Sequence, residues 1–69
     1  VNGEIRQKLM FEFIKENPGL GAMNIQNYMN VLHGMTYKES YSAFYCLKRK
    51  CKLAKKGKGF NTVYFAIID

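Results

Sequence analysis

Histidine, proline and cysteine are scarce in this 69-residue chain, which holds one His, one Pro and two Cys. Two cysteines are too few for a disulfide framework. Cys46 and Cys51 stand five apart in a stretch read below as helix, where their side chains would not face each other well enough for a relaxed bridge. They are expected as ordinary reduced thiols of a reducing compartment. With His33 they still fall short of four zinc ligands at recognisable spacing, so neither a metal nor a cofactor is expected. Apolar runs extend for only a few residues, against roughly 20 needed to span a bilayer, and residues 1–20 lack the basic start, apolar stretch and small-residue cleavage site of a signal peptide. No membrane partner and a cytoplasmic location are therefore expected. A start at Val1 rather than Met is expected of processing, tag removal or excision from a longer chain.

The other scarcity is acid. The whole chain carries 11 Lys+Arg against 5 Asp+Glu, a net charge of +6. In residues 1–35, Arg6, Lys8 and Lys15 balance Glu4, Glu12 and Glu16. The excess lies beyond them, where Lys38, Lys48, Arg49, Lys50, Lys52, Lys55, Lys56 and Lys58 face only Glu39 and Asp69. Residues 40–68 contain no acid at all. Ordinary surfaces intersperse both signs, so this half is expected to present a positive field to a partner rather than serve solubility alone.

What is abundant is apolar. Hydrophobic residues make up 48% of the chain, including five Tyr and five Phe, which is too many for intrinsic disorder. At this length only about 60% of the unfolded surface becomes buried, enough for a single domain (1–69) with one small core. Little remains to build a deep catalytic cleft. No enzyme is expected: Ser40 and Ser42 lack a base and an orienting group, and no Gly-rich phosphate loop precedes a helix.

Periodicity predicts the elements. Ile5, Leu9, Met10, Phe13 and Ile14 recur at helical spacing over residues 4–16, and Asn17-Pro18-Gly19 stops the run. Phe11 falls off that arc and is expected partly exposed or against the sheet. Ile25, Tyr28, Met29 and Leu32 predict a second helix over 22–32, ended by His33-Gly34. His33 there suits a helix C-terminus. Met10, Met23, Met29 and Met35 are expected as core filler.

Thr36-Tyr37-Lys38-Glu39 fits a capping box and opens a third helix over about 36–51. Its predicted core arc is Tyr37, Ser40, Phe44, Leu47 and Cys51. Its opposite arc holds Lys38, Ser42, Tyr45 and Arg49, with Tyr41 and Cys46 at the edges. Beyond Cys51 the period changes. Residues 52–55 and the β-branched and aromatic run 62–67 predict two strands joined at Lys56-Gly57-Lys58-Gly59.

Helix, helix, Gly turn, capped helix and basic hairpin resembles a winged helix-turn-helix domain, an α+β fold of three helices and a two-stranded wing of about 52–67. The resemblance runs through the Leu9 to Ile14 core, His33-Gly34-Met35, the third helix with Phe44 and Leu47, Leu53, and the Tyr64 to Ile67 strand. It implies a double-stranded DNA-binding protein, a transcriptional regulator of bacterial or phage type, nucleoid-associated if bacterial. On that likeness Lys38, Ser42, Tyr45 and Arg49 face bases in the major groove, while Tyr41, Lys48, Lys50, Lys52, Lys55, Lys56 and Lys58 serve backbone or minor groove. The residues independently agree, since these are the outward side chains of the acid-free half. Arg49 suits a bidentate contact to guanine, and flexible lysines suit phosphate.

Two narrower likenesses arise. Thr36-Tyr37 and Asn61-Thr62-Val63-Tyr64-Phe65 resemble the small bacterial co-regulators of fimbrial operons. Lys38-Glu39, Tyr45 and Lys52-Leu53 resemble Z-DNA-binding winged helices, with two departures: Tyr41 replaces that family's asparagine, and the wing lacks proline. Three tyrosines on one helix also invite base stacking, but Tyr37 is expected in the core. The alternative from another class is a winged-helix module docked on an acidic protein partner, such as a nucleoid protein or a polymerase subunit. A homodimer would use Phe11 or the chain ends.

Overall fold

The computed structural model describes residues 3–68. Val1 and Asp69, which entered the readings of the chain's start and its charge, lie outside the described residues. Three helices, α1 (Gly3–Glu16), α2 (Ala22–His33) and α3 (Tyr37–Arg49), precede an antiparallel pair, β1 (Leu53–Lys56) and β2 (Val63–Ala66). A 3-10 turn, Gly59–Asn61, joins the strands. Among the described residues no helix is long and apolar enough to cross a membrane.

Local chemistry accounts for the helix boundaries. Gly34 takes φ +65° and donates its N–H to the Asn30 carbonyl at 2.9 Å, while Met35 N–H reaches Met29 at 3.4 Å. The Gly34 bond closes the helix as an αL cap, in which glycine supplies the left-handed turn without steric cost. Two residues later Thr36 begins α3. Its hydroxyl accepts from Glu39 N–H at 3.2 Å, and the Glu39 carboxylate accepts from Thr36 N–H at 3.0 Å. Both halves of the predicted capping box are formed.

The core is one cluster. Met10 and Ile14 of α1, Ile25 and Met29 of α2, Met35 of the turn, and Ala43, Phe44 and Leu47 of α3 are buried together. Ser40 is also buried and donates its hydroxyl to the Tyr37 carbonyl at 3.0 Å, so its burial leaves no polar group unpaired. Leu53, Tyr64 and Ala66 close the cluster from the wing side. Tyr64 is also bridged to Leu20, with Tyr64 N–H donating to Leu20 at 2.9 Å and Gly19 N–H donating to Tyr64 at 3.0 Å. The α1–α2 connection thereby becomes a third, one-residue rung beside β2, a pairing without a sequence signal.

Several predicted core positions are corrected. Tyr37 is 68% exposed. It is the first helical residue, and helical side chains lean toward the N-terminus, so its ring projects past the end of the core. Cys51 is exposed, because α3 ends at Arg49 and Cys51 itself takes φ +57°, off the helical wheel. Both cysteines are free.

Ile5, Met23, Tyr28 and Leu32 are exposed as well. The helix α2 buries only Ile25, Met29 and Gln26, a narrower stripe than its apolar content suggested. A core of this size cannot cover more. Phe11 is half-buried, as its off-arc position predicts, and packs against the core. The observed strands are one residue later at β1 and shorter at β2 than predicted.

Candidate nucleic-acid interface

Burying Ser40, Ala43, Phe44 and Leu47 fixes which face of α3 points outward. At 100° per residue the opposite direction is that of Lys38, Ser42, Tyr45 and Arg49. All four are exposed. The predicted base-facing set is thus assembled on one continuous surface.

Glu39, the helix's single acid, is engaged elsewhere. Its carboxylate closes the capping box and lies 3.4 Å from the Arg6 guanidinium of α1. The Thr36 N–H bond, with Arg6 contributing, holds its carboxyl below the usual range. The outward face of α3 is left cationic.

Beside this face runs an aromatic ladder. Tyr37, Tyr41 and Tyr45 stand one turn apart, with ring centroids separated by 6.3 and 6.4 Å and planes tilted by 24° and 13°. The Arg49 guanidinium continues it, 6.0 Å from the Tyr45 ring. Such a contact holds the arginine fork in a limited set of positions while leaving its donors outward. Tyr41 is exposed between its two neighbours.

A ring pair ties the wing to α3. Tyr64 of β2 packs edge-on against Phe44 of α3, with centroids 4.7 Å apart at 86°. Lys48 places its ammonium 5.7 Å from the Phe44 ring and 6.0 Å from the Tyr64 ring. Lys55 is the cross-strand partner of Tyr64 and therefore shares its face of the ribbon. Lys48 and Lys55 thus flank the seam between α3 and the wing. Lys56 pairs with Val63 and occupies the other face of the ribbon, while Lys58 lies in the turn.

Two predicted phosphate contacts point elsewhere. Lys50 donates to Gln7 of α1 at 2.8 Å. With Lys52 it borders a groove of about 340 Å³ whose other walls are Glu4, Gln7, Lys8, Phe11 and Leu47. These two lysines belong to the α1 side, apart from the tyrosine ladder.

Sequence reasoning passed over Phe60. It is the middle residue of the 3-10 turn, 109% exposed. A large aromatic residue inside an otherwise Gly- and Lys-rich turn was the available signal. Phe60 also borders a cleft with Gly21, Ala22 and the exposed Met23 at the start of α2.

Three helices, an antiparallel ribbon and a cationic helix face beside that ribbon define a winged-helix domain. No protein-family model matches the chain, and no curated protein matches it. A solved structure of HOP2, described as giving insights into its DNA recognition and protein interaction domains and its homologous DNA pairing properties, is similar in fold. The likeness covers 90% of this chain and 98% of that one, with 21% identity and a TM-score of 0.75.

Proposed function

We propose that this domain binds double-stranded DNA, with α3 in the major groove and the wing on phosphate or in the adjacent minor groove. The observation that carries the reading is the shared outward face of Lys38, Ser42, Tyr45 and Arg49, continued by Lys48 and Lys55 at the wing seam. Glu39, the acid nearest that face, is already committed to Thr36 and Arg6. The likeness to the HOP2 structure, described for DNA recognition and protein interaction, supports the same direction. Side chains able to read base edges favour a sequence-selective role such as transcriptional regulation over neutralisation of phosphate alone.

The test is a salt titration of duplex binding. Contact with about five phosphates gives a slope of log K against log salt of roughly −4 to −5. A flat response, or no chemical-shift change in residues 38–60 on adding duplex, overturns the reading. Comparing a random duplex with one selected from a pool separates the regulator from a non-specific binder.

One observation favours a second, compatible reading. The groove between α1 and the end of α3 has an apolar floor of Phe11 and Leu47, and Lys8, Lys50 and Lys52 outnumber Glu4 around it. That composition suits an acidic segment of a protein partner, and it lies on the α1 side of the molecule. Substituting Phe11 by Ser would weaken such a partner while leaving the duplex slope unchanged.

A further inference from the structure

We propose that Phe60 is a wedge that inserts between stacked base pairs of a bound duplex through the minor groove. The inference rests on the DNA-binding reading above and extends it from phosphate contact to deformation of the DNA.

A phenylalanine exposed along its whole length forgoes the burial that aromatic residues ordinarily gain on folding. At 109% exposure, Phe60 draws none of that burial from the folded chain. The turn around it is ordered by its own bonds. Asn61 N–H donates to Lys58 at 3.1 Å, and Thr62 N–H donates to Gly59 at 3.2 Å. Gly57 takes φ +99°, and a Cβ there would run into the Asn61 carbonyl. The backbone folds back closely at this point, and the two turn bonds flank Phe60, the middle residue of the 3-10 turn. A preformed tip loses little conformational freedom on insertion.

The surroundings choose the partner's chemistry. Lys55, Lys56 and Lys58 are exposed around the tip, and residues 40–68 contain no acid. An apolar ring carried on a cationic ribbon matches a target with π faces inside and phosphates outside. Proteins that bend DNA from the minor groove use apolar side chains in this way, unstacking one base step and kinking the duplex. Flexible pyrimidine–purine steps yield most readily. A protein surface would have to be acidic and present an aromatic slot at once. Heparin supplies a negative charge without stacked bases and separates the two cases.

The chain contains no tryptophan, so Phe60→Trp introduces a single reporter in the turn. With a mixed-sequence duplex carrying a fluorophore at each end, the unmodified protein is expected to shorten the end-to-end distance. Phe60→Ala is expected to bind with the same salt slope, to lose the shortening and to weaken affinity about tenfold. Phe60→Trp is expected to retain bending, with its indole emission quenched and shielded from acrylamide by duplex and not by heparin. Unchanged bending in Phe60→Ala, or an indole response of equal size to heparin in Phe60→Trp, overturns the wedge and leaves duplex binding standing. Absence of salt-dependent duplex binding by the unmodified protein overturns both readings. Because Phe60 is exposed, Phe60→Ala is expected to keep the same melting temperature, which separates loss of bending from loss of fold.

Discussion

Phe44 and Tyr64 meet edge to face with centroids 4.7 Å apart, and this contact ties the third helix to the second strand of the wing. Phe44 is buried, and Tyr64 is half-buried, with its backbone held by Gly19 and Leu20. Phe44→Ala is expected to destabilise the fold by about 3–5 kcal/mol, as expected for loss of a buried ring. In a double-mutant cycle with Tyr64→Leu, read by urea unfolding, the coupling should be about 0.5–1.5 kcal/mol beyond area burial. A coupling of zero would mean that the wing and α3 are held together by the rest of the core alone.

The capping box at the start of α3 makes stability depend on acid pH. The Glu39 carboxyl is lowered from its ordinary value of about 4.5, first by the Thr36 N–H bond and further by Arg6. A lowered carboxylate contributes stability that is fully present above its unfolded value and is lost as pH falls through its folded value. The melting temperature of the native chain should therefore drop below about pH 4.5, whereas Glu39→Gln, which keeps a cap acceptor, should show a shallower drop. Thr36→Ala removes the reciprocal half and should cost about 1 kcal/mol at neutral pH. Thermal melts between pH 2.5 and 7 check both.

These two contacts mark what was legible in the sequence. Capping chemistry is local, so Thr36, Glu39 and Gly34 announced the end of α2 and the start of α3. The inward set Ser40, Phe44 and Leu47 and the outward set Lys38, Ser42, Tyr45 and Arg49 followed from helical period alone. Period does not say where a helix outruns its core, which is why Tyr37, Met23, Tyr28 and Leu32 were misplaced inward. The wheel also fails past a helix end, as at Cys51. The Leu20 rung depends on backbone hydrogen bonds from Tyr64 to Leu20 and from Gly19 to Tyr64, far apart in the chain, and no side-chain pattern encodes it. The Tyr37–Tyr41–Tyr45 ladder was visible as spacing, but its continuity required Tyr37 to be outside.

Positioning and reading should separate by substitution. Lys56→Glu with Lys58→Glu places two acids on the wing and should weaken binding to all duplexes alike, with the salt slope shallower by about 2. Arg49→Lys keeps the charge and loses the planar fork that Tyr45 supports. It should reduce discrimination between a selected and a random duplex by about 1–3 kcal/mol while leaving the slope nearly unchanged. If Arg49→Lys shifts the slope as the wing pair does, Arg49 is a phosphate contact and not a reader of bases.

The wing tip offers a test of shape independent of charge. Gly57 occupies a left-handed conformation opposite the Asn61 carbonyl, so alanine there meets both an unfavourable φ and backbone that cannot yield like a side-chain end. Such a substitution costs more than the roughly 0.4–1 kcal/mol gained when glycine is replaced at a compatible site. The strain is confined to the turn, remote from Met10, Ile14, Ile25 and Met29 in the buried cluster. Gly57→Ala should therefore leave the helical circular dichroism intact, with amide shift changes concentrated in residues 55–64. It should weaken duplex binding without removing a charge. Amide shifts that spread into α1 and α2 would show that the turn is coupled to the core, and unchanged binding would show that tip geometry plays no part in recognition.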